Sequence, residues 1–564
     1  MGRGRAAIPI PRAGMSDSAQ ASRRTVRVPD LGWTLPDRLP SNAECTVRPL
    51  LERWANETPD KVFALFEDGA IWTYAETLRD VRAAAQALTA LGVAPGDPVL
   101  NWLDNGADQL RLWLATNFIG AIHVPIATSA RSGELQHILA NTKARFLTTQ
   151  ADLLAQNADL DLSGLTSVIL HDAAPGDLPR NVIRRDDFLK LNAPLPAGAP
   201  QLSDIALIIY TSGTTGAPKG VRNPYAQFWM LAKTQAGYIG PDDRVLISTS
   251  LSHISTVSMV WAALYANASL AIYQSFSVSA FWERVRRTGS TAVPGVGPAI
   301  MGMLLKPAPS ANDRDNPLKI INVRAPNDIV RAFAERFGVD YFGAFGMTEA
   351  SCIALTDRNS SHDGACGYPR PGLEVRLVDS NDVDVADGEN GEIIIRADLP
   401  ITLSQGYHDN EEATMETWRN GWFHTGDLAH RDATGQLHFH DRIKDSIRRR
   451  GENIASHEVE REAMAFPAVQ YAAAMGVAGE FDDQEVLLVV EPVPGESVDP
   501  GALTDFIATR LSHFKVPRYV SVQHTLPKTT FGKIRKFEVL AALDLASCWD
   551  RERDHSASSK TGRK

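Results

Sequence analysis

A short apolar run, Ile205-Ala-Leu-Ile-Ile209, empties directly into Tyr210-Thr-Ser-Gly-Thr-Thr-Gly-Ala-Pro-Lys-Gly220. A run this short, emptying into a glycine-containing loop, reads as a buried strand of an α/β sheet. The glycines let the following backbone turn tightly, so that its N–H groups can converge on one anion. Thr211, Ser212, Thr214 and Thr215 add neutral donors around Gly213 and Gly216, and Lys219 supplies a movable positive charge. Such a loop suits a polyphosphate. The Gly-x-x-x-x-Gly-Lys-Ser/Thr spacing is absent, because a proline intervenes and Gly220 follows Lys219. The plainer alternative is a solvated Gly/Thr turn.

The alternation of strand and helix extends on both sides. From Thr46 to Gln150, and again at Arg244-Val-Leu-Ile-Ser and Ser269-Leu-Ala-Ile-Tyr, helical periodicity alternates with short apolar runs. Ala75 to Leu88 carries apolar residues at helical spacing and is closed by Gly92. This pattern predicts parallel sheets wrapped by helices in a large N-terminal domain. After about Gly372 the strands crowd together: Glu374–Asp379, Gly391–Arg396 and Leu437–His440 predict a smaller, more antiparallel β subdomain. From about Ile443 two helices mix with strands, including Glu485–Glu491, as in a small α+β domain. The expected layout is a disordered extension at 1–28, an N-terminal domain at 29–442, a mobile C-terminal domain at 443–545 and a disordered tail at 546–564.

Length and composition narrow the class. The 564 residues suffice for roughly three to four folding units. A formal charge of −10 argues against a nucleic-acid partner. Four scattered cysteines form neither a disulfide framework nor a zinc motif, which fits a cytoplasmic protein. No apolar run approaches the ~20 residues that span a bilayer. The opening Met1-Gly-Arg-Gly-Arg lacks the apolar stretch of a secretory signal and reads as an extension, or as a start upstream of Met15.

Four further segments carry chemistry. Phe345-Gly-Met-Thr348-Glu349 ends a strand in small residues, where an aromatic face can stack on a base and a carboxylate can hold Mg²⁺. Trp422-Phe-His-Thr-Gly-Asp427 is a turn whose carboxylate can accept two ribose hydroxyls. Asp441-Arg442-Ile-Lys444-Asp445, followed by Gly451-Glu-Asn-Ile454, is a charged stretch between two folded sections. Pro527 to Lys536 sets Lys533 after a glycine turn, placed to neutralise charge on a phosphoryl or acyl oxygen. Each alone also fits an ordinary turn or a solvated linker.

Together and in this order, the five segments strongly resemble the adenylate-forming superfamily of acyl-CoA synthetases, luciferases and peptide-synthetase adenylation domains, from about Arg48 to Leu540. The resemblance implies that the domain at 29–442 is AMP-binding, and the chain looks most like an acid–CoA ligase. His408-Asp-Asn-Glu-Glu-Ala-Thr, the Arg450-Gly-Glu-Asn-Ile loop and Phe514-Lys-Val-Pro resemble the carnitine/crotonobetaine-CoA ligase branch. The resemblance implies ATP, Mg²⁺ and coenzyme A as cofactor and co-substrates, with a small carboxylic acid as substrate and a monomer or homodimer as the assembly. It implies that Thr211, Ser212, Gly213, Thr214, Thr215, Gly216 and Lys219 grip the β- and γ-phosphates, and that Glu349 binds Mg²⁺. Thr348 would contact the α-phosphate, Ala344 and Phe345 would border adenine, and Asp427 and Arg442 would hold the ribose. Lys444 falls at the family's hinge, Lys533 on its adenylating lysine, and Gly451 with Arg450 on the channel for the CoA thiol. His253, Thr256, Met259, Arg324 and Gly343 would line the acid pocket.

Two departures stand out. Many relatives carry Gly-Gly-Ala-Pro before the adenine strand, where this chain has Val323-Arg324-Ala325-Pro326. Arg324 either meets a second anionic group of the substrate or packs outward. Arg450 replaces a frequent glycine and belongs either to a CoA phosphate contact or to a solvated patch with Arg448 and Arg449. Ile254 to Trp261 lacks the aspartate that holds an amino group in peptide-synthetase domains, which disfavours an amino acid substrate. An enzyme loading a carrier protein and a non-catalytic nucleotide-binding relative are the alternatives.

Overall fold

The computed structural model describes residues 38–130, 132–172, 180–211, 218–235, 238–443, 445–449, 452–479, 484–528 and 533–553. The expected extension at 1–28 lies outside them.

The first sheet runs in the order Val182–Arg184, Ser167–Leu170, Phe146–Thr149, Pro98–Trp102, Ile122–Pro125, Ile205–Thr211 and Lys219–Pro224. All pairs are parallel except the last, where Lys219–Pro224 folds back on Ile205–Thr211. The Ile205–Ile209 run is buried, as its composition requires. Helix Tyr74–Ala90 starts with a Thr73/Glu76 capping box and ends before Gly92, whose φ of +88° is the left-handed conformation that suits a helix stop.

The second sheet does not stop where the strand style changes. Its parallel half ends at Asp340–Met347, an eight-residue strand that serves two ladders. Asp340–Gly343 pairs parallel with Ile320–Val323, and Ala344–Met347 pairs antiparallel with Ser351–Leu355. Ala365–Pro369, Leu437–Arg442, Trp422–Arg431, Gly391–Ala397 and Leu373–Val378 then continue the same sheet. The antiparallel β subdomain is therefore an extension of the parallel sheet, joined through the strand that carries the Phe345–Glu349 motif.

Helices fill the space between the sheets. In Ala107–Phe118 every residue from Gln109 onward is buried, and in Ile254–Tyr265 every residue but Ser255 and Tyr265. Helices covered on all sides lose the usual polar stripe. Trp261 centres this layer, stacked on Phe228 at 5.2 Å and meeting Trp113 edge-on at 6.3 Å.

The C-terminal unit is a hairpin, Ile447–Arg449 with Glu452–Ile454, and a sheet of Val469–Ala478, Gln484–Pro492, Tyr519–Val522 and Trp549–Asp550. Gln484–Pro492 has apolar groups on both faces: Val486, Leu488 and Val490 join one core cluster, Leu487 and Val489 another. The chain stays structured beyond 545. Trp549–Asp550 adds an antiparallel edge to Tyr519–Val522, and Trp549 packs on the core; of the expected tail, 554–564 lie outside the described residues.

Candidate active site

The phosphate-loop segment is closed at its base by strand pairing, Thr211 opposite Lys219. Ser212, Gly213, Thr214, Thr215 and Gly216 lie outside the described residues. The Lys219 ammonium sits 5.0 Å from the centre of the Tyr407 ring, and the Tyr407 hydroxyl donates to Glu349 Oε1 at 2.9 Å. Tyr407 is fixed there by backbone pairing with Val221, flanked by His408 N–H to Gly220 O at 2.7 Å. One aromatic side chain thus links the loop lysine to the carboxylate expected to bind metal.

Thr348 and Glu349 occupy the turn between Asp340–Met347 and Ser351–Leu355, and both are at least nine-tenths buried. The turn is tight. A Cβ at Gly346 would lie 1.8 Å from the Ser351 carbonyl oxygen, and Ser351 itself has φ +61°. That left-handed backbone costs roughly 1–2 kcal/mol outside glycine and needs outside support. The support comes from the strand and helix after the phosphate loop. Gln227 Nε2 donates to the Thr348 carbonyl (3.1 Å) and the Ser351 hydroxyl (2.9 Å), and Asn223 Nδ2 to the Thr348 carbonyl (3.0 Å). Burial pushes the Glu349 carboxyl above its ordinary pKa, opposed by the Tyr407 bond and the positive charge of Arg442.

Asp427 and Arg442 face each other across paired strands, with Arg442 Nε 3.0 Å from Asp427 Oδ1. The turn before Asp427 is held by Glu392, which accepts from Gly426 N–H (3.0 Å) and pairs with His424 Nδ1 (2.9 Å). Burial raises the Asp427 pKa, and the cations Arg442, Arg324 and Lys533 pull it back.

Lys533, from the C-terminal unit, is therefore brought to the Asp427–Arg442 pair. Partial desolvation and the nearby Arg442 and Arg324 lower its pKa, against the opposing charge of Asp445. The unit docks through the start of helix Ser456–Met464. The N-cap residue there is Ala455, which has no side-chain acceptor, and Asp441 Oδ2 takes the Ser456 N–H instead. His457 meets Phe439 and His440 at ring distances of 6.2 and 6.3 Å.

The expected acid-pocket residues divide. His253 is half-buried and caps helix Ile254–Tyr265, its Nδ1 accepting from Ser255 N–H at 3.2 Å. Thr256 is fully buried against the Thr249 hydroxyl, and Met259 belongs to the inter-sheet core. A Cβ at Gly343 would press on Thr356 at 2.8 Å, which gives this glycine a packing reason. Ala344 is half-buried beside Phe345, whose ring lies 5.6 Å from Phe439. Arg324 is exposed and lies over the other aromatic of that pair, its guanidinium carbon 5.4 Å from the Phe439 ring centre.

The AMP-binding enzyme profile matches residues 51–408, and the AMP-binding enzyme C-terminal domain matches residues 458–533. The chain belongs to the AMP-binding enzyme family. It is 32% identical over 489 residues to a feruloyl-CoA synthase of Amycolatopsis sp, covering 84% of this chain and 95% of that one. It is 31% identical over 507 residues to a sulfoacetate–CoA ligase of Cupriavidus necator, covering 88% and 97%. An o-succinylbenzoate coenzyme A synthetase from Bacillus subtilis, solved with ATP and magnesium, superposes with a TM-score of 0.76 at 25% identity, covering 87% and 99%.

As an AMP-binding enzyme the chain uses ATP, Mg²⁺ and CoA. The donor set fits Mg²⁺: one buried carboxylate, oriented by a tyrosine hydroxyl and set beside a phosphate loop, suits an ion that completes its shell with phosphate oxygens and water. No cluster of three or more His, Cys, Asp or Glu suited to a metal occurs among the described residues. No described helix is long and apolar enough to cross a membrane. Lys444, Arg450 and Gly451 lie outside the described residues. Their neighbour Arg449 is buried, bonded to the Phe514 and Val516 carbonyls and paired with Glu485, so it is a core anchor of this AMP-binding enzyme. Tyr407, Gln227, Asn223 and Glu392 escaped the sequence reading. Only Tyr407, beside the His408 segment, adjoined a motif.

Proposed function

We propose that Lys219, Glu349, Asp427, Arg442 and Lys533 carry the two-step chemistry of an AMP-forming carboxylic acid–CoA ligase. The observation that carries this reading is Lys533, delivered by the C-terminal unit to the Asp427–Arg442 pair on the large one. Asp427 accepts the ribose hydroxyls and sets the α-phosphate toward Lys533. A carboxylate oxygen of the acid attacks the α-phosphorus, the bond to the β-phosphate oxygen breaks, and pyrophosphate leaves toward Lys219. Two anions must meet, so Lys533 and Lys219 stabilise charge that grows on the phosphate oxygens. Glu349 would hold Mg²⁺, which would supply further neutralisation of the phosphates.

The C-terminal unit then swings away about the chain following Arg442, as a body beginning near 443, and Lys533 leaves the cleft. The CoA sulfur attacks the acyl carbon, the bond to AMP breaks, and the thioester departs. His253 and Ser255, at the start of helix Ile254–Tyr265, border the acid, whereas Thr256 and Met259 of the same helix are buried in the core. The enzyme works in the cytoplasm, as a monomer or homodimer.

The test is pyrophosphate release across aryl, aryl-alkanoic, sulfonated, betaine and steroid acids, with mass spectrometry of the CoA product. An acid-dependent burst of pyrophosphate and a matching acyl-CoA mass support the reading. Pyrophosphate release whose acyl group appears only on a pantetheinylated protein would replace it with carrier loading.

A further inference from the structure

The loop at 249–253 leads from strand Arg244–Ile247 into helix Ile254–Tyr265, whose start borders the acid in the ligase reading. Its own bonds close it tightly. The His253 N–H donates to the Ser250 carbonyl at 3.2 Å, and the Ser250 and Ser252 hydroxyls meet at 2.7 Å. A hold on this turn comes from the other sheet. Asn105 follows strand Pro98–Trp102, and its side-chain amide reaches the backbone on both sides of Ser250. Its Nδ2 donates to the Thr249 carbonyl at 2.8 Å, and its Oδ1 accepts from the Leu251 N–H at 3.0 Å. The same Nδ2 donates to the Tyr273 carbonyl at 3.2 Å, just past strand Ser269–Ile272. The strands concerned run parallel within their sheets, and all three bonds lie at their carboxyl ends, where α/β sheets build their sites. The amide has one workable orientation: reversed, it would set Oδ1 against two carbonyls and Nδ2 against an N–H.

A staple that only joined the two sheets would have no need of the loop. The neighbouring Gln274 already ties the same ends together, its Nε2 donating to Asp104 Oδ2 at 2.8 Å. Asn105 instead brackets the residue whose carbonyl holds the His253 N–H, so its placement passes to His253 through one further hydrogen bond. We propose that Asn105 is a positioning residue for acid recognition: it sets the 249–253 loop, and through it His253 and Ser255, where the carboxylic acid binds. Groups that must meet a substrate within a fraction of an ångström need such support from behind, because small misplacements weaken recognition steeply. This rests on the ligase reading above, and its test includes a measurement that needs no turnover.

Asn105→Ala removes all three bonds. Asn105→Ser keeps a short hydroxyl and stands in where the alanine protein does not fold. Gln274→Ala cuts the neighbouring tie between the sheets and leaves the bonds of the loop in place. Initial rates of pyrophosphate release are measured with the acid that the wild-type protein turns over fastest in the panel above, varying that acid and Mg·ATP in turn. In Asn105→Ala the KM for the acid rises about tenfold, and in Asn105→Ser about threefold or more, while the KM for ATP stays within about twofold. Gln274→Ala leaves both KM values within about twofold. Amide hydrogen exchange over 249–256, read by mass spectrometry on the ligand-free protein, quickens about tenfold in the Asn105 variants and not in Gln274→Ala. An unchanged KM for the acid, equal rises in both KM values, the same shift from Gln274→Ala, or unaltered exchange over 249–256 overturns the proposal. Absence of acid-dependent pyrophosphate release from wild type would overturn the ligase reading instead, and the exchange comparison then still decides whether Asn105 holds the loop.

Discussion

Tyr407 shows how one hydroxyl ties two functional groups together. Its ring lies under the Lys219 ammonium while its O–H donates to Glu349, whose carboxyl burial pushes toward the neutral form. Removing the hydroxyl leaves a buried carboxylate short of a donor, a cost of about 1–3 kcal/mol. Tyr407→Phe keeps the ring and should raise the Mg²⁺ concentration for half-maximal pyrophosphate release by roughly tenfold or more, on the scale of ~1.4 kcal/mol per tenfold. It should also move the acid limb of the pH profile upward. Glu349 must be ionised to hold a cation, its pKa is already raised, and losing the donor raises it further, so Mg²⁺ is lost at a higher pH as acid is added. An unchanged Mg²⁺ requirement would separate Tyr407 from the metal site. Glu349 and Lys219 were legible because they stand in local motifs. Gln227 was not: it acts on a turn more than a hundred residues away, through three-dimensional proximity that no spacing encodes. Arg449 follows neither reading that Arg448-Arg449-Arg450 left open, a phosphate contact or a solvated patch, because Glu485 and two carbonyls bury it.

Element by element, the strand and helix pattern was readable, since Ala75–Leu88 became Tyr74–Ala90 and Glu485–Glu491 became Gln484–Pro492. The continuity of the large sheet was not, because Asp340–Met347 switches from parallel to antiparallel partners within one strand. The same blindness hid the seam. Helix Ser456–Met464 lacks its own N-cap and borrows Asp441 from the other unit. Asp441→Ala should weaken docking by about 1 kcal/mol, the usual worth of a cap, and slow adenylation about fivefold. Thioester formation from supplied acyl-AMP should be spared, and equal slowing of both steps would contradict a role confined to the docked arrangement.

The seam also titrates. Burial lowers the pKa of His440 and His457 when docked, with Asp441 and Glu458 opposing and Lys515, Arg461 and Arg324 assisting. A histidine lowered in one arrangement favours that arrangement above its ordinary pKa, near ~6.5, and opposes it as pH falls below. The ratio of adenylation to thioester formation should therefore fall from about pH 7.5 to about pH 5.5. His457→Gln should flatten that fall, and a ratio that rises on acidification would contradict the docking account.

At the scale of the whole molecule, the proposed site draws on two bodies: the large unit holds Lys219, Glu349 and Asp427, and the small one sets Lys533 within electrostatic reach of Asp427. A matched pair of half-reactions on the Lys533→Ala protein tests this division most directly. Acid-dependent pyrophosphate release should drop about a hundredfold or more, the scale of one lost charge-stabilising group in a water-poor site. Acyl-CoA formation from supplied acyl-AMP should stay within about threefold of wild type, because Lys533 has left the cleft by then. Equal loss of both half-reactions, or loss of neither, would contradict the account.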